Sequence, residues 1–393
     1  MSLLPVAEAQ GRLLAMAQPL PDESVAIAQA AGRWTTSDIA ARRTQPASDL
    51  SAMDGYAIRY ADMPGPWRVI GESAAGAAFG GEVKPGEAVR IYTGAVMPDG
   101  ADTVIVQEDI TSADGRITLT GDGPGALGKH IRRAGSDFRE GQTLIPAGTA
   151  LTPRHIALAA LAGWGALALP RLPRIAILSS GAELVPPGAA CGPDQIPASN
   201  SVMLSTMLVG LPCVVEDLGI ITDELGALTQ AMRSVRDHDI IVSTGGASVG
   251  DHDLVKPALE AAGGSIDFWK IRMRPGKPLI AGRLGDALFL GLPGNPVSAY
   301  VTAHLFLLPI VRHMAGCPTP LPQMAGARLG AAMPPVGGRD DYVRAELTDG
   351  VATPVVSQDS AATFALAQAN CLIRRAAGSG AARAGEDAEI ITL

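Results

Sequence analysis

Cysteine, aromatic residues and excess positive charge are all scarce in this chain, and each scarcity removes a class of protein. Four cysteines, Cys191, Cys213, Cys317 and Cys371, are spread over 393 residues, and no two stand in C-x-x-C spacing. Neither a disulfide framework nor a zinc cage is expected. Lys and Arg number 31 against 39 Asp and Glu, a net charge of −8. An acidic field repels phosphate backbones, so a general nucleic-acid binder is excluded. Aromatics are only 4%, which leaves Ala, Val, Leu and Ile to fill the interior. No apolar run is long enough to cross a membrane: the most apolar one, IALAALAGWGALAL (156–169), falls short of the roughly 20 residues a span needs and carries Gly163 and Gly165 inside it. A buried helix is expected there. The opening MSLLPVAEAQGRLLAMAQPL lacks the basic start and apolar core of a secretory signal, so the expected compartment is the cytoplasm.

What the chain has is length, 47% apolar residues, and many turn formers, with 46 Gly and 30 Pro scattered without a period. That suits several domains built from short elements joined by tight turns. Apolar positions Val6, Ala9, Leu13, Leu14 and Ala17 follow a helical period, and Pro19 to Pro21 interrupt it, which predicts two short helices before residue 31. From about 42 the texture turns to β-branched runs at 67–70, 88–92, 103–107 and 117–120 between Gly, Pro and Asp turns, a small β-rich domain ending near 138. Thr152 and Pro153 open a helix through 161 that can pack back on the first segment. From 171 to 316 strands alternate with helices, the order of an α/β parallel sheet with right-handed crossovers. After Cys317 the runs at 341–347, 352–356, 371–374 and 388–392 predict a small C-terminal β domain. The divisions expected are therefore 1–41 with 139–170, 42–138, 171–316 and 317–393.

Ligands of an open parallel sheet collect at the carboxyl ends of its strands. Three loops lie there. The strand at 239–243 runs into TGGASVGDHD (244–253), which offers backbone N–H groups at Gly245, Gly246 and Gly250, hydroxyls at Thr244 and Ser248, and acids at Asp251 and Asp253. Such a loop can hold a phosphate with its metal, or merely cap the next helix. The strand ending at Leu290 runs into GLPGNP (291–296), where Pro293, Gly294, Asn295 and Pro296 form either a ligand loop or a tight turn before a helix whose positive end faces the same crevice. The strand at 174–178 runs into SSGAEL (179–184), where Glu183 is either a base or metal ligand, or a solvated loop acid.

KIRMRPGKP (270–278) sets Lys270, Arg272 and Arg274 on one strand face at period two, with Lys277 past a Pro-Gly turn. In an acidic chain this is either an oxyanion site or an edge strand guarded by charge. In the β-rich region, SAMDGYA (51–57) sets a small-residue turn around Asp54, and the strand leading to Thr93 and Gly94 ends in a hydroxyl and a glycine. Taken alone, these are turn residues.

Together these stretches resemble the MoeA family of molybdopterin molybdenumtransferases, related to the E domains of plant Cnx proteins and of gephyrin. SAMDGYA (51–57), RIYTGAVMPDGADTVIVQED (90–109), IRRAGSDFREGQ (131–142), SSGAELVPPG (179–188), STGGASVGDHD (243–253), RPGKP (274–278) and GLPGNPVSA (291–299) occur in family order. The resemblance spans nearly the whole chain. It implies a multidomain α/β plus β architecture: a central MogA-like α/β domain with a parallel sheet, a β-rich insert domain, a helical linker domain and a C-terminal β domain. It also implies a homodimer whose active site is shared between the α/β domain of one subunit and the β-rich domain of the other.

The implied chemistry takes adenylylated molybdopterin and molybdate, hydrolyses the adenylate's pyrophosphate with Mg²⁺, and leaves molybdenum on the dithiolene with AMP released. A MogA-type adenylyltransferase and acceptor molybdoenzymes are the implied neighbours; no nucleic acid or membrane partner is. By motif match Asp54, Glu183, Asp223 and Asp253 are the functional acids, with Glu183, Asp223 and Asp253 the Mg²⁺ ligands. Thr93, Gly94, Arg133, Asp137, Ser180, Gly181, Ser199, Asn200, Gly245, Gly246, Ser248, Gly250 and Pro293 to Pro296 fall at molybdopterin and nucleotide positions. Lys270, Arg274 and Lys277, with Arg339 and Arg344 of GRDDYVR and Ser360 of QDSAA, fall at molybdate positions.

Two departures stand out. Ala182 occupies the first acid of the family's T-G-D-E-L, and Ala198 the acid of its I-Y-D-S-N. The segment before Asn370 also lacks the usual Ser-Leu. A non-catalytic molybdopterin-binding scaffold is the alternative that these changes raise. A MogA-type adenylyltransferase fits less well, since it would carry a T-G-G-T-G loop where this chain has Ser248, and a CinA-type amidohydrolase would lack SAMDGYA and GLPGNP.

Overall fold

A computed structural model of the chain describes residues 3–245 and 254–393. The β-rich region is a six-stranded sheet ordered Thr103–Val106, Gly55–Ile58, Glu87–Ile91, Trp67–Ser73, Arg116–Leu119, Ile110–Ala113. Its period-two alternation sends Ile58, Trp67, Ala88, Ile105 and Ile117 to one face and Ala57, Ile91 and Val104 to the other.

Two expectations near the linker change. No second helix forms before residue 31 beyond one short turn at Ile27–Gln29; instead Asp22–Ala26 is a strand paired antiparallel with Ala166–Pro170. Pro19 and Pro21 lack N–H donors, and the chain leaves them extended with only Val25 of the strand turned inward. The apolar run 156–169 is likewise not one helix. The helix Pro153–Leu161 stops before Gly163, whose φ of +97° no helix accommodates, and Leu167 and Leu169 then alternate inward as a strand. Thr152 opens that helix, its N–H donating to His155 Nδ1 at 3.1 Å. Ala159 packs back on Val25, Ile39 and Leu151, as foreseen.

The first helix, Val6–Met16, takes a different place from the one expected. Its buried face (Val6, Ala9, Leu13) joins the core of the α/β sheet rather than that of the linker. That sheet is ordered Val214–Ile221, Arg174–Ser180, Ile240–Thr244, Ala287–Leu292, Ile280–Leu284, Ser265–Trp269. The first four strands are parallel. The sheet is mixed, because the two residues Gly285 and Asp286 can only fold Ile280–Leu284 back antiparallel beside its neighbour. Ile175, Ile177, Val242 and Leu290 pack on one side with Leu13, Leu204 and Phe306; Leu178, Ile241 and Phe289 pack on the other with Leu228, Met232 and Leu259.

The last helix of this unit runs from Pro296–Thr302 through a π turn at Ala303–Leu307 into Leu308–Met314. Pro309 has no N–H to offer the carbonyl of Leu305 four residues back. Gln10 of the first helix donates to that carbonyl instead, at 2.9 Å. The C-terminal unit is a small closed barrel: Asp340–Thr348, Val351–Pro354, Ala325–Leu329, Asp387–Thr392 and Cys371–Arg375 pair in turn, and the last returns to the first. Met273–Arg274, from the α/β unit, adds a short parallel strand to it through the pairs Met273 with Asp340 and Arg274 with Asp341. The four cysteines are free. Among the described residues no helix is long and apolar enough to cross a membrane.

Candidate functional site

The carboxyl ends of Arg174–Ser180, Ile240–Thr244 and Ala287–Leu292 open onto one cleft of about 1260 Å³, whose far wall is the barrel. That exceeds the few hundred to about 1,000 Å³ typical of a small-ligand site. Its loops are cross-tied. Asn200, on the helix Ser199–Leu208, donates through Nδ2 to Thr244 Oγ1 at 2.8 Å and to the Gly294 carbonyl at 2.7 Å, joining the second loop to the third. The buried Ser180 hydroxyl donates to Asp223 at 2.8 Å, joining the first loop to the turn before the helix Leu225–Ser234. Gly245 has φ +89°, and a Cβ there would lie 2.1 Å from the Ser180 carbonyl oxygen, so only glycine lets the second loop leave its strand. Asn200 Oδ1 and Ser179 Oγ are buried without a hydrogen-bond partner among the described residues, and both residues line the cleft. A bound molecule can satisfy them.

Across from these loops stand Arg274, Lys277 and Arg339. Arg274 and Lys277 are exposed, and none of the three is held by a hydrogen bond or an ion pair among the described residues. The turn carrying Lys277 is fixed by the Ile271 N–H bonding the Lys277 carbonyl at 2.9 Å, and by Gly276, where φ is +98° and a Cβ would lie 2.5 Å from Thr302 Cγ2.

The period-two face expected for Lys270, Arg272 and Arg274 does not form. After Trp269 the chain leaves its strand, Lys270 turns to φ +81°, and the Arg272 N–H bonds the Leu4 carbonyl at 2.7 Å. Lys270 lies outside the cleft lining, its Nζ 4.4 Å from the Trp269 ring. Arg344 does not face the cleft either. Only 1% exposed, it donates to the carbonyls of Asp359 at 2.9 Å and Ala362 at 3.1 Å, and so shapes the cleft wall from behind. Ser360 lines the cleft as a clasp: its hydroxyl accepts from Asn295 Nδ2 at 2.8 Å and its carbonyl from the Val297 N–H at 3.1 Å. The helix at Pro296 therefore does not present that N–H to the crevice.

The cleft also gathers Glu183, Ser199 and Pro293 to Pro296, with Asp223 and Gly181 just outside its lining. Asp54, Thr93, Gly94, Arg133 and Asp137 are not in it; they lie on the β-rich unit. There Asp54 accepts the Thr93 N–H at 2.7 Å and its hydroxyl at 2.9 Å, and these bonds hold its carboxyl below the usual range. Gly94 closes the turn through its N–H to the Ser51 carbonyl at 2.9 Å. Arg133 pairs with Asp49 at 2.5 Å, and Asp137 is exposed, its N–H on the Gln45 carbonyl at 3.1 Å. Gly246, Ser248, Gly250 and Asp253 lie outside the described residues.

Sequence reasoning passed over Asp341, Arg375 and Ser179, all of which line the cleft. A signal for Asp341 was present, since it stands two residues from Arg339 in GRDDYVR. Among the described residues no three Asp, Glu, His or Cys side chains gather to hold a metal ion. Of the three expected Mg²⁺ ligands, Glu183 and Asp223 are described and Asp253 lies outside the described residues.

Family models match this chain in three blocks: the MoeA N-terminal region (domain I and II) over 4–163, a "probable molybdopterin binding domain" over 176–313, and the MoeA C-terminal region (domain IV) over 326–393. A molybdopterin molybdenumtransferase of Bacillus subtilis is 32% identical over 408 aligned positions, covering 99% of this chain and 94% of its own. One of Haemophilus influenzae is 38% identical, covering 76% of this chain and 74% of its own. A solved structure described as a molybdopterin biosynthesis MoeA protein of Pyrococcus horikoshii is 27% identical and superposes with a TM-score of 0.85 over 100% of this chain and 99% of its own.

Proposed function

Because the chain belongs to the MoeA family, an enzyme family of molybdenum cofactor biosynthesis, we propose that it transfers molybdenum from molybdate to adenylylated molybdopterin, with hydrolysis of the adenylate and release of AMP. The observation that carries this reading is the set of three cations, Arg274, Lys277 and Arg339, held by no hydrogen bond or ion pair among the described residues, in the cleft of an otherwise acidic chain. Molybdate is a tetrahedral dianion, and the fixed turn and the barrel strand bring three cations to one side of the cleft, where their side chains can close on it. The cleft has room for a nucleotide-linked pterin beside it.

Within the cleft, the Asn200 tie sets the spacing of the second and third loops, so that backbone groups at Gly245 and Gly294 converge on one ligand. Asn200 Oδ1 and Ser179 Oγ accept from its amine or hydroxyl groups. Ser360 keeps the barrel wall against the third loop. Mg²⁺ belongs to the same proposal, with Glu183 and Asp223 the described residues that would hold it against the phosphates.

Asp54 and Thr93 are part of the same proposal. They do not line this chain's own cleft, and in a homodimer they would complete the cleft of the other copy. Mixing Asp54→Ala and Glu183→Ala subunits should restore part of the activity that each variant lacks alone, since one cleft of the mixed dimer would be whole. A fully active monomer in light scattering contradicts this arrangement.

A second reading, a molybdopterin-binding scaffold without turnover, is favoured by Ala182 and Ala198, which stand where the family resemblance has acids. It predicts no AMP release by the parent, and a gain in the Ala182→Asp, Ala198→Asp double variant.

A further inference from the structure

The cationic side of the cleft contains one carboxylate that a pure anion site has no use for. Asp341 lines the cleft, and strand pairing places it between two cations: Arg274 is its partner across the parallel pair and Arg375 across the antiparallel one. Arg339 stands two residues before it, Asp340 immediately before it, and Lys277 enters the cleft from the Pro-Gly turn. Despite this company, the Asp341 side chain makes no hydrogen bond or ion pair among the described residues. Arg375 spends its guanidinium on the carbonyls of Pro334 and Gly380, and the Asp340 carboxylate accepts the Ala377 N–H at 2.8 Å. Asp341 is thus a half-buried acid that no described residue hydrogen-bonds or pairs with directly, lining the space where an anion would sit.

We propose that Asp341 makes oxyanion capture proton-coupled: a dianion seated by Arg274, Lys277 and Arg339 binds with Asp341 protonated, its carboxyl O–H donating to an oxygen of the anion. This rests on the reading of the cleft as the molybdate site. A charged Asp341 would meet the dianion with like charge, whereas a protonated one removes that repulsion and adds a donor. Burial already pushes the Asp341 carboxyl up, with Arg274, Arg339 and Arg375 pulling the other way. An arriving dianion raises it further, and by linkage the anion must then bind more tightly as pH falls. Molybdate, tungstate and sulfate only accept hydrogen bonds when fully deprotonated, so a protonated acid here selects for them. A hydrogen phosphate, with a proton of its own, can instead donate to the charged acid.

The test is isothermal calorimetry of the full-length protein with molybdate alone, repeated in buffers of different ionisation enthalpy and from mildly acidic to mildly alkaline pH. The expected result is net uptake of up to one proton per anion, and a Kd that rises by up to about tenfold per pH unit within the window between the free and bound carboxyl pKa. Asp341→Asn should bind molybdate with no proton uptake and a flat pH profile, and Asp341→Glu should keep both. Molybdate binding by the parent without proton uptake overturns the role of Asp341 and leaves the cleft assignment standing. Absence of molybdate binding by the parent overturns the cleft assignment, and this inference with it.

Discussion

Replacing Gly245 with alanine should loosen the α/β sheet at the mouth of the cleft. The added Cβ would lie 2.1 Å from the Ser180 carbonyl oxygen and 3.3 Å from its carbon, at a residue whose φ is +89°. Those neighbours are backbone atoms of a paired strand, with Ser179 opposite Thr244, so relief requires the two strands to part. A left-handed conformation costs a non-glycine residue about 1–2 kcal/mol, and overpacking costs about 1–3 kcal/mol more, for a total of roughly 2–5 kcal/mol. At about 1.4 kcal/mol per tenfold, protection from hydrogen exchange should fall by about 30-fold or more. The amides to follow are those of Arg174–Ser180 and Ile240–Thr244, with Cys371–Arg375 of the barrel as an unaffected reference. Gly226→Ala is the matched control: nothing lies within 4 Å of its Cβ position, in the helix Leu225–Ser234. It should stabilise by up to about 1 kcal/mol. Parental protection in Gly245→Ala would refute the steric argument.

Three further outcomes follow from single contacts. Gln10→Leu removes the donor to the Leu305 carbonyl and should destabilise the docking of the first helix by about 1–3 kcal/mol, read as faster exchange in Val6–Met16. Burial, with Arg312 adding to it, holds His304 neutral down to about 4, below its ordinary 6.5. The unfolded chain therefore takes up a proton in that interval that the folded chain refuses, so stability is full above about 6.5 and declines towards 4, by roughly 3 kcal/mol at most. Melting His304→Phe at several pH values should show a flatter profile. Lys277→Ala should weaken molybdate binding and reduce its salt dependence, since Lys277 is exposed and its charge is screened; an unchanged isotherm would move the anion elsewhere.

The parts of the fold that were legible in the sequence were those where period and punctuation agree. The helix opened by Thr152 and Pro153 begins and ends where the cap and the glycine put it, and the Gly285-Asp286 turn lies between two strands. The parts that were not legible depend on partners distant in the chain. Asp22–Ala26 is a strand because Ala166–Pro170 lies beside it, and no local pattern in either segment announces the other. The first helix looks like any amphipathic helix, and its docking place is set by distant partners, the α/β core under Val6, Ala9 and Leu13 and the Leu305 carbonyl that takes Gln10. At the site, Arg274 and Lys277 were legible as charges beside a fixed turn. Lys270 was misplaced because Leu4 draws the chain out of its strand. Arg344 was read as a site cation, whereas its charge is directed at the Asp359 and Ala362 carbonyls, a distinction invisible in GRDDYVR.

The most direct test of the central claim, transfer of molybdenum in the cleft beneath the barrel, is to incubate the purified protein with adenylylated molybdopterin, molybdate and Mg²⁺, and to measure AMP and pterin-bound molybdenum in the same sample. The account predicts that both appear in equal amounts, and that both are lost when Arg274 and Lys277 are replaced together by alanine. It is contradicted if AMP is released while the pterin gains no molybdenum, or if the double variant performs like the parent.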